Sequence, residues 1–176
     1  MATHHAQAVE MAFIVRDATT DPRLRALAAD IIVTQSAQRG MFMAWLQEWG
    51  LPQASAGRRM AWMDSDGKND PASSMHHMDE GHLTPGMPLM AGIASDDEID
   101  ALRRATGREA EVLFLQLMIR HHEGGVLMAK ALPARSRHEH AVTLARAIES
   151  GQAGEIETMA GMLRERGAHA LESLLR

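Results

Sequence analysis

Twelve residues at the start of the chain recur far downstream, and this recurrence constrains the fold more than any other feature. Met1–Ala12 and Met118–Ala129 both fit M-x-x-H-H-x-x-x-V-x-M-A, displaced by 117 positions. At the same displacement, without a gap, identities continue at Leu27/Leu144, Ala28/Ala145, Ile31/Ile148, Gln35/Gln152, Leu46/Leu163, Glu48/Glu165 and Gly50/Gly167. A unit of about 50 residues repeated in register implies two related helical hairpins joined by a different middle.

The periodicity supports this. Ala8, Val9, Ala12 and Val15 form an apolar stripe over a helix at residues 1–16. Asp21 and Pro22 are a cap and first-turn pair for a long helix over about 23–49, which Gly50 and Pro52 terminate. Gly, Pro, Ser, Asp and Asn punctuate residues 51–94, a long connection with room for a short helical piece at 58–63. Ser95 to Glu98 has the capping-box pattern and opens a short helix over 95–107. Helical spacing returns over 108–132, stops at Pro133, and resumes over about 137–166, with one more helical turn expected in the tail 168–176. No stretch reads as a strand. The expected architecture is all-α: one domain over 1–176, a ferritin-like four-helix bundle of two hairpins (about 1–50 and 108–167) with a long crossover.

Composition narrows the chemistry. With 14 Met, 10 His and no Cys in 176 residues, thiolate nucleophiles, disulfides and Cys-based zinc sites are excluded. The net charge of -5 and the lack of a basic stripe argue against nucleic acid. No apolar run reaches the ~20 residues of a membrane span, and no signal peptide is present. Because the chain opens inside the first repeat, a leader and part of the first helix are expected to precede it.

Successive helical residues are 100° apart, so Met118 and His122 share a face one turn apart, and His121 and Met128 lie close in angle two turns apart. Gly125 sits between them as a backbone gap. Met1, His4, His5 and Met11 repeat the arrangement around Ala8. Imidazole with thioether is a soft donor set that suits copper, with zinc the weaker choice. The middle segment adds Met75, His76, His77, Met78, His82, Met87 and Met90, a composition that signals metal binding in its own right. The competing reading is structural: methionine commonly fills irregular core gaps, and a histidine on a helix face commonly makes a hydrogen bond. Glu10, Glu111 and Glu123 lie near the His pairs but fit exposed helix faces equally well. No Glu-x-x-His is present, which disfavours a di-iron site. His138, His140 and His169 read as surface residues.

These residues resemble a bacterial family catalogued as domain of unknown function 305, which has a ferritin-like four-helix fold. Its pattern of an acidic residue and Phe, then M-x-x-H-H, then M-A, is matched by Glu111, Phe114, Met118, His121, His122, Met128 and Ala129. Its A-x-x-I-x-x-x-Q pattern is matched twice, by Ala145, Ile148 and Gln152 and by Ala28, Ile31 and Gln35. The Gly86-Met87-Pro88 stretch and the Ser95–Leu102 segment resemble members with two copies of the unit. The acidic-x-x-Phe lead-in is missing before Met1. The resemblance implies an exported or envelope protein whose Met118, His121, His122 and Met128, with their first-copy counterparts, bind copper.

The sequence therefore predicts a copper-binding protein of the cell envelope that sequesters Cu(I) or Cu(II), or hands it to a transfer partner protein, and that is a binder rather than an enzyme. An oligomer is compatible with it. Two alternatives stand beside it. One is a non-metal helical interaction module whose His pairs are structural, and the other is a copper-dependent oxidase.

Overall fold

Helix ends set the layout of this chain. The computed structural model describes residues 1–53 and 90–175, and these form five helices and no strand. They are α1 (Ala2–Ala18), α2 (Pro22–Glu48), α3 (Asp96–Arg104), α4 (Gly107–Ala131) and α5 (Glu139–Glu165). The four long helices fall within about two residues of the expected ends, and α3 stops three residues early, at Arg104. The expected helical piece at 58–63 lies outside the described residues.

Local chemistry accounts for the boundaries. The Asp21 carboxylate accepts from the Arg23 amide at 2.8 Å and Pro22 opens α2. Ser95 and Glu98 close the expected capping box on α3, at 3.2 and 2.8 Å. α2 and α5 end alike. Leu51 N–H donates to Leu46 O and Gly50 N–H to Gln47 O, and the same bonds recur from Ala168 to Leu163 and from Gly167 to Arg164. This geometry needs a left-handed residue, and Gly50 and Gly167 supply it with φ of 64° and 60°.

α1 packs along α2 and α4 along α5, giving two hairpins; α1 crosses α4, and α3 lies against both. α2 and α5 are each 27 residues long, and both their ends are displaced by 117 positions. Their buried positions correspond at the same displacement: Leu24/Ala141, Ala28/Ala145, Ile31/Ile148 and Gln35/Gln152. The main hydrophobic cluster draws on all five helices, with Met11, Val15, Leu24, Ile31, Leu102, Phe114, Met118, Met159 and Leu163 among its members.

Two arginine-centred ion pairings fasten the parts. Arg120 of α4 clamps both Glu98 oxygens of α3 at 2.9 and 2.6 Å. Arg166, just past α5, reaches Asp21 at 2.6 Å, Glu111 at 2.8 Å and the Met162 carbonyl at 3.1 Å. Thr19 completes that junction by donating to Glu111 at 2.6 Å. Glu111 thus joins α4 to the α1–α2 turn and the end of α5; it neither lies on an exposed face nor bonds a histidine.

The tail departs from expectation. No helical turn forms after Gly167 in the described residues. The chain instead runs back along α4, where the Gln116 amide donates to His169 O at 2.8 Å and Glu123 accepts from Ser173 Oγ and Leu174 N at 2.7 and 2.8 Å. The carboxylate of Glu123 draws the tail onto α4 and is itself buried by it.

Replacing Arg166 with leucine strands the Glu111 carboxylate, which is only 12 % exposed. We expect the unfolding free energy to fall by ~2–4 kcal/mol in urea titrations, with part of the loss recovered by adding Glu111→Gln. A loss no larger than ~0.5 kcal/mol, the range of an ordinary surface substitution, would contradict a junction that holds the two hairpins in place.

Candidate metal centre

Adjacent histidines on a helix point 100° apart, so each His-His pair addresses two neighbours. In α1, His4 faces α4 and His5 faces α2; in α4, His121 faces α1 and His122 faces α5. The result is a row of four imidazoles across the bundle. Ring centroids are 6.3 Å apart for His5 and His4, 3.6 Å for His4 and His121, and 6.2 Å for His121 and His122. All four side chains are wholly buried.

Each outer histidine is held by its own hairpin. His5 Nε2 lies 2.8 Å from Gln38 Oε1, and His122 Nε2 lies 2.5 Å from Glu155 Oε2. Gln38 and Glu155 are themselves 117 positions apart. Of the inner pair, His121 Nε2 bonds the His4 carbonyl at 3.0 Å. Among the described residues the remaining ring nitrogens have no hydrogen-bond partner: both on His4, and Nδ1 on His5, His121 and His122. The same holds for both amide atoms of Gln35 and Gln152. An unsatisfied buried polar group costs ~1–3 kcal/mol, so such a concentration in one place marks a site built to receive something.

The gap expected at Gly125 is taken by an amide. A Cβ at Gly125 would stand 2.0 Å from Gln152 Oε1, so the glycine admits the Gln152 side chain. Gly124 faces elsewhere; a Cβ there would lie 2.0 Å from the Ala91 carbonyl oxygen, where backbone crosses backbone.

The thioethers divide into two groups. Met11 and Met118 lie fully buried in the main hydrophobic cluster. Met128 packs with Met90 and Ile93, and Met1 packs against them. Met1 and Met128 also line an apolar recess of about 340 Å³ between the hairpins, together with Phe42, Trp45, Trp49 and Leu132. Phe42 meets the His5 ring edge-on at 5.3 Å, so the recess adjoins one end of the imidazole row. Met75, His76, His77, Met78, His82 and Met87 lie outside the described residues. Among the described residues, no three His, Cys, Asp or Glu side chains converge as a metal-binding group.

Sequence reasoning did not find Gln38 and Glu155 as partners of the histidines. The signal that could have found them is their shared repeat register and their place three residues beyond Gln35 and Gln152. His138 is also more than a surface residue. Its Nδ1 caps α5 by accepting from Ala141 N at 3.2 Å, and its ring meets Trp49 edge-on at 5.1 Å.

Burial disfavours the charged form of these rings. It holds His4 and His121 well below the usual imidazole range, and the neighbouring histidines add to the effect. His5 is lowered to about 4, by burial first and against the raising effect of Gln38. His4, His5 and His121 are therefore neutral at pH 7, the state required for ligating a metal. In the unfolded chain they take up protons near pH 6.5, before the folded protein does. Metal-free stability must then decrease as pH falls from 6.5 toward 4, with a slope of up to ~1.4 kcal/mol per pH unit for each such histidine. Urea titrations between pH 7.5 and 4.5 check this; a flat profile would contradict the burial. A second test is Gly124→Ala, which should destabilise more than Gly125→Ala, because a carbonyl in the backbone cannot move aside as the Gln152 side chain can.

Comparison with known proteins follows the same lines. The sequence matches the family described as Domain of unknown function (DUF305) over residues 1–163. The fold is similar to that of a DUF305 protein from Streptomyces coelicolor classed as secreted, with 41 % identity, TM-score 0.81, and 98 % of this chain and 92 % of that one covered. It is also similar to a DUF305 fragment from Deinococcus radiodurans, at 32 % identity and TM-score 0.70 over 94 % and 91 % of the chains. A third similar structure is CopM in its Cu(II)-bound form, at 26 % identity and TM-score 0.67, again over 94 % and 91 %. CopM has also been solved with Cu(I) and with silver. No curated protein matches the chain. The family match, the identity to the Streptomyces protein and the shared helical bundle agree: this protein belongs to the DUF305 family.

Proposed function

We propose that this protein binds copper through its row of buried histidines and the adjacent thioethers, and that it sequesters or passes on the metal. The observation that carries the reading is the set of wholly buried imidazoles, contributed by both hairpins, with ring nitrogens that no group among the described residues satisfies. Neutral imidazole together with thioether prefers soft and borderline ions, Cu(I) first. His4, His5, His121 and His122 are the nitrogen donors; Met1, Met90 and Met128, which cluster together outside the main core, are the candidate sulfurs. Met11 and Met118 contribute if the core opens toward the row. The Cu(I)-, Cu(II)- and silver-bound forms of CopM support the choice of metal by similarity of fold.

On this reading the hairpins are a tandem repeat and the chain is one metal-binding unit. It works outside the cytoplasm, as the secreted Streptomyces relative suggests. No helix among the described residues is long and apolar enough to cross a membrane. The metal-handling partner is a protein that accepts copper from this chain.

A second reading keeps the histidines structural. It is favoured by the packing of Met11 and Met118 in the aliphatic core and by the hydrogen bonds that three of the four rings make within the bundle. Anaerobic Cu(I) titration against a competing chelator, with zinc as control, separates the two. The copper reading predicts stoichiometric Cu(I) uptake and weak zinc binding, abolished in His121→Ala/His122→Ala while far-ultraviolet circular dichroism still reports helix. Under the structural reading, neither protein takes up Cu(I) and the double variant loses thermal stability alone.

A further inference from the structure

Resting on the copper reading, we infer that the bundle fixes His5, His121 and His122 as Nε2–H tautomers and so presents Nδ1 as the ligating atom, with Gln38, the His4 carbonyl and Glu155 as the positioning groups. The argument comes from which atoms can donate. A carbonyl oxygen, an amide oxygen and a carboxylate oxygen only accept, so the ring nitrogen facing each of them carries the hydrogen. That nitrogen is Nε2 in all three residues, at 2.8 Å from Gln38 Oε1, 3.0 Å from His4 O and 2.5 Å from Glu155 Oε2. A neutral imidazole with hydrogen on Nε2 has its lone pair on Nδ1. In all three rings Nδ1 is the buried atom without a hydrogen-bond partner among the described residues.

The three anchors are of unequal strength. A carboxylate behind the ring makes the opposite nitrogen a better donor and fixes ring orientation, and such partners are worth 10–100-fold in metal affinity, roughly. An amide does so more weakly, because it carries no net charge. Glu155 behind His122 and Gln38 behind His5 occupy the same place in the two hairpins. The hairpins therefore offer donors of different strength, with His122 the stronger. His4 has neither ring nitrogen engaged, so its tautomer is free to follow the metal.

The test uses the full chain. Long-range proton–nitrogen correlation spectra of the nitrogen-15-labelled, metal-free protein at pH 7.5 report each ring nitrogen as protonated (pyrrole-like) or bare (pyridine-like). We expect pyrrole-like Nε2 at His5, His121 and His122. Silver(I), a diamagnetic soft ion, is then added as the probe, and only Nδ1 resonances should shift strongly. A pyridine-like Nε2 in any of the three, or silver shifts on Nε2, overturns the inference while leaving metal binding intact. No histidine shift at all overturns ligation at Nδ1 together with the copper reading. Glu155→Ala should weaken Cu(I) affinity ~10–100-fold, whereas Glu155→Gln, which keeps an acceptor oxygen but loses the charge, should weaken it by less. Unchanged affinity in Glu155→Ala removes Glu155 from the positioning role, and the wild-type spectra decide the remainder even where a variant folds poorly.

Discussion

The contact of the His4 and His121 rings, 3.6 Å apart where α1 crosses α4, is the constraint on which the rest of the molecule depends. Each ring is polar, wholly buried and contributed by a different hairpin. Two charged imidazoles could not be placed this close without water, so the bundle is stable only while these rings stay neutral. The surrounding structure meets that demand. Aliphatic packing from all five helices excludes solvent, and the ion pairings at Arg120 and Arg166 hold α3, the α1–α2 turn and the end of α5 in place around the crossing.

The two hairpins share a frame and differ at a few consequential positions. Gln38 stands where the second hairpin has Glu155, and Ala8 where it has Gly125. At the far ends of the long helices the difference is one of filling. Met159, Met162 and Leu163 of α5 are buried in the main core. Their counterparts at the same displacement, Phe42, Trp45 and Leu46 of α2, line the 340 Å³ recess beside Met1 and Met128. The larger aromatic side chains do not close over the interior as the flexible methionines do. One end of the imidazole row therefore adjoins an apolar recess walled by two thioethers, and the other end adjoins Glu155.

Much of this was legible in the sequence, for identifiable reasons. Caps and terminators act locally, so Asp21-Pro22, the Ser95–Glu98 box, Gly50 and Gly167 fixed the helix ends to within a few residues. The repeat indicated which helices pair. What stayed hidden was tertiary. Helical angles place His121 and His122 on neighbouring faces but do not say which partner each face meets, so Gln38 and Glu155 could not be linked to the rings. Gly125 read as a gap because its filler, Gln152, comes from another helix. For Glu111 and Glu123 the sequence leaves an exposed helix face as open as a place beside the histidines, because their burial depends on Arg166 and on the tail folding back, both distant in sequence. The tail read as a helical turn on local pattern alone, whereas Glu123 supplies hydrogen bonds to its backbone and side chain that a helix would not need.

The central claim is that the buried imidazoles, assisted by thioether sulfur, are what holds copper. Copper K-edge X-ray absorption on the Cu(I)-loaded protein tests it most directly. The account predicts nearest neighbours of both nitrogen and sulfur, with the outer-atom multiple scattering that imidazole rings produce. A spectrum of sulfur or oxygen neighbours without imidazole scattering would place the metal elsewhere and return the histidine row to a purely structural role.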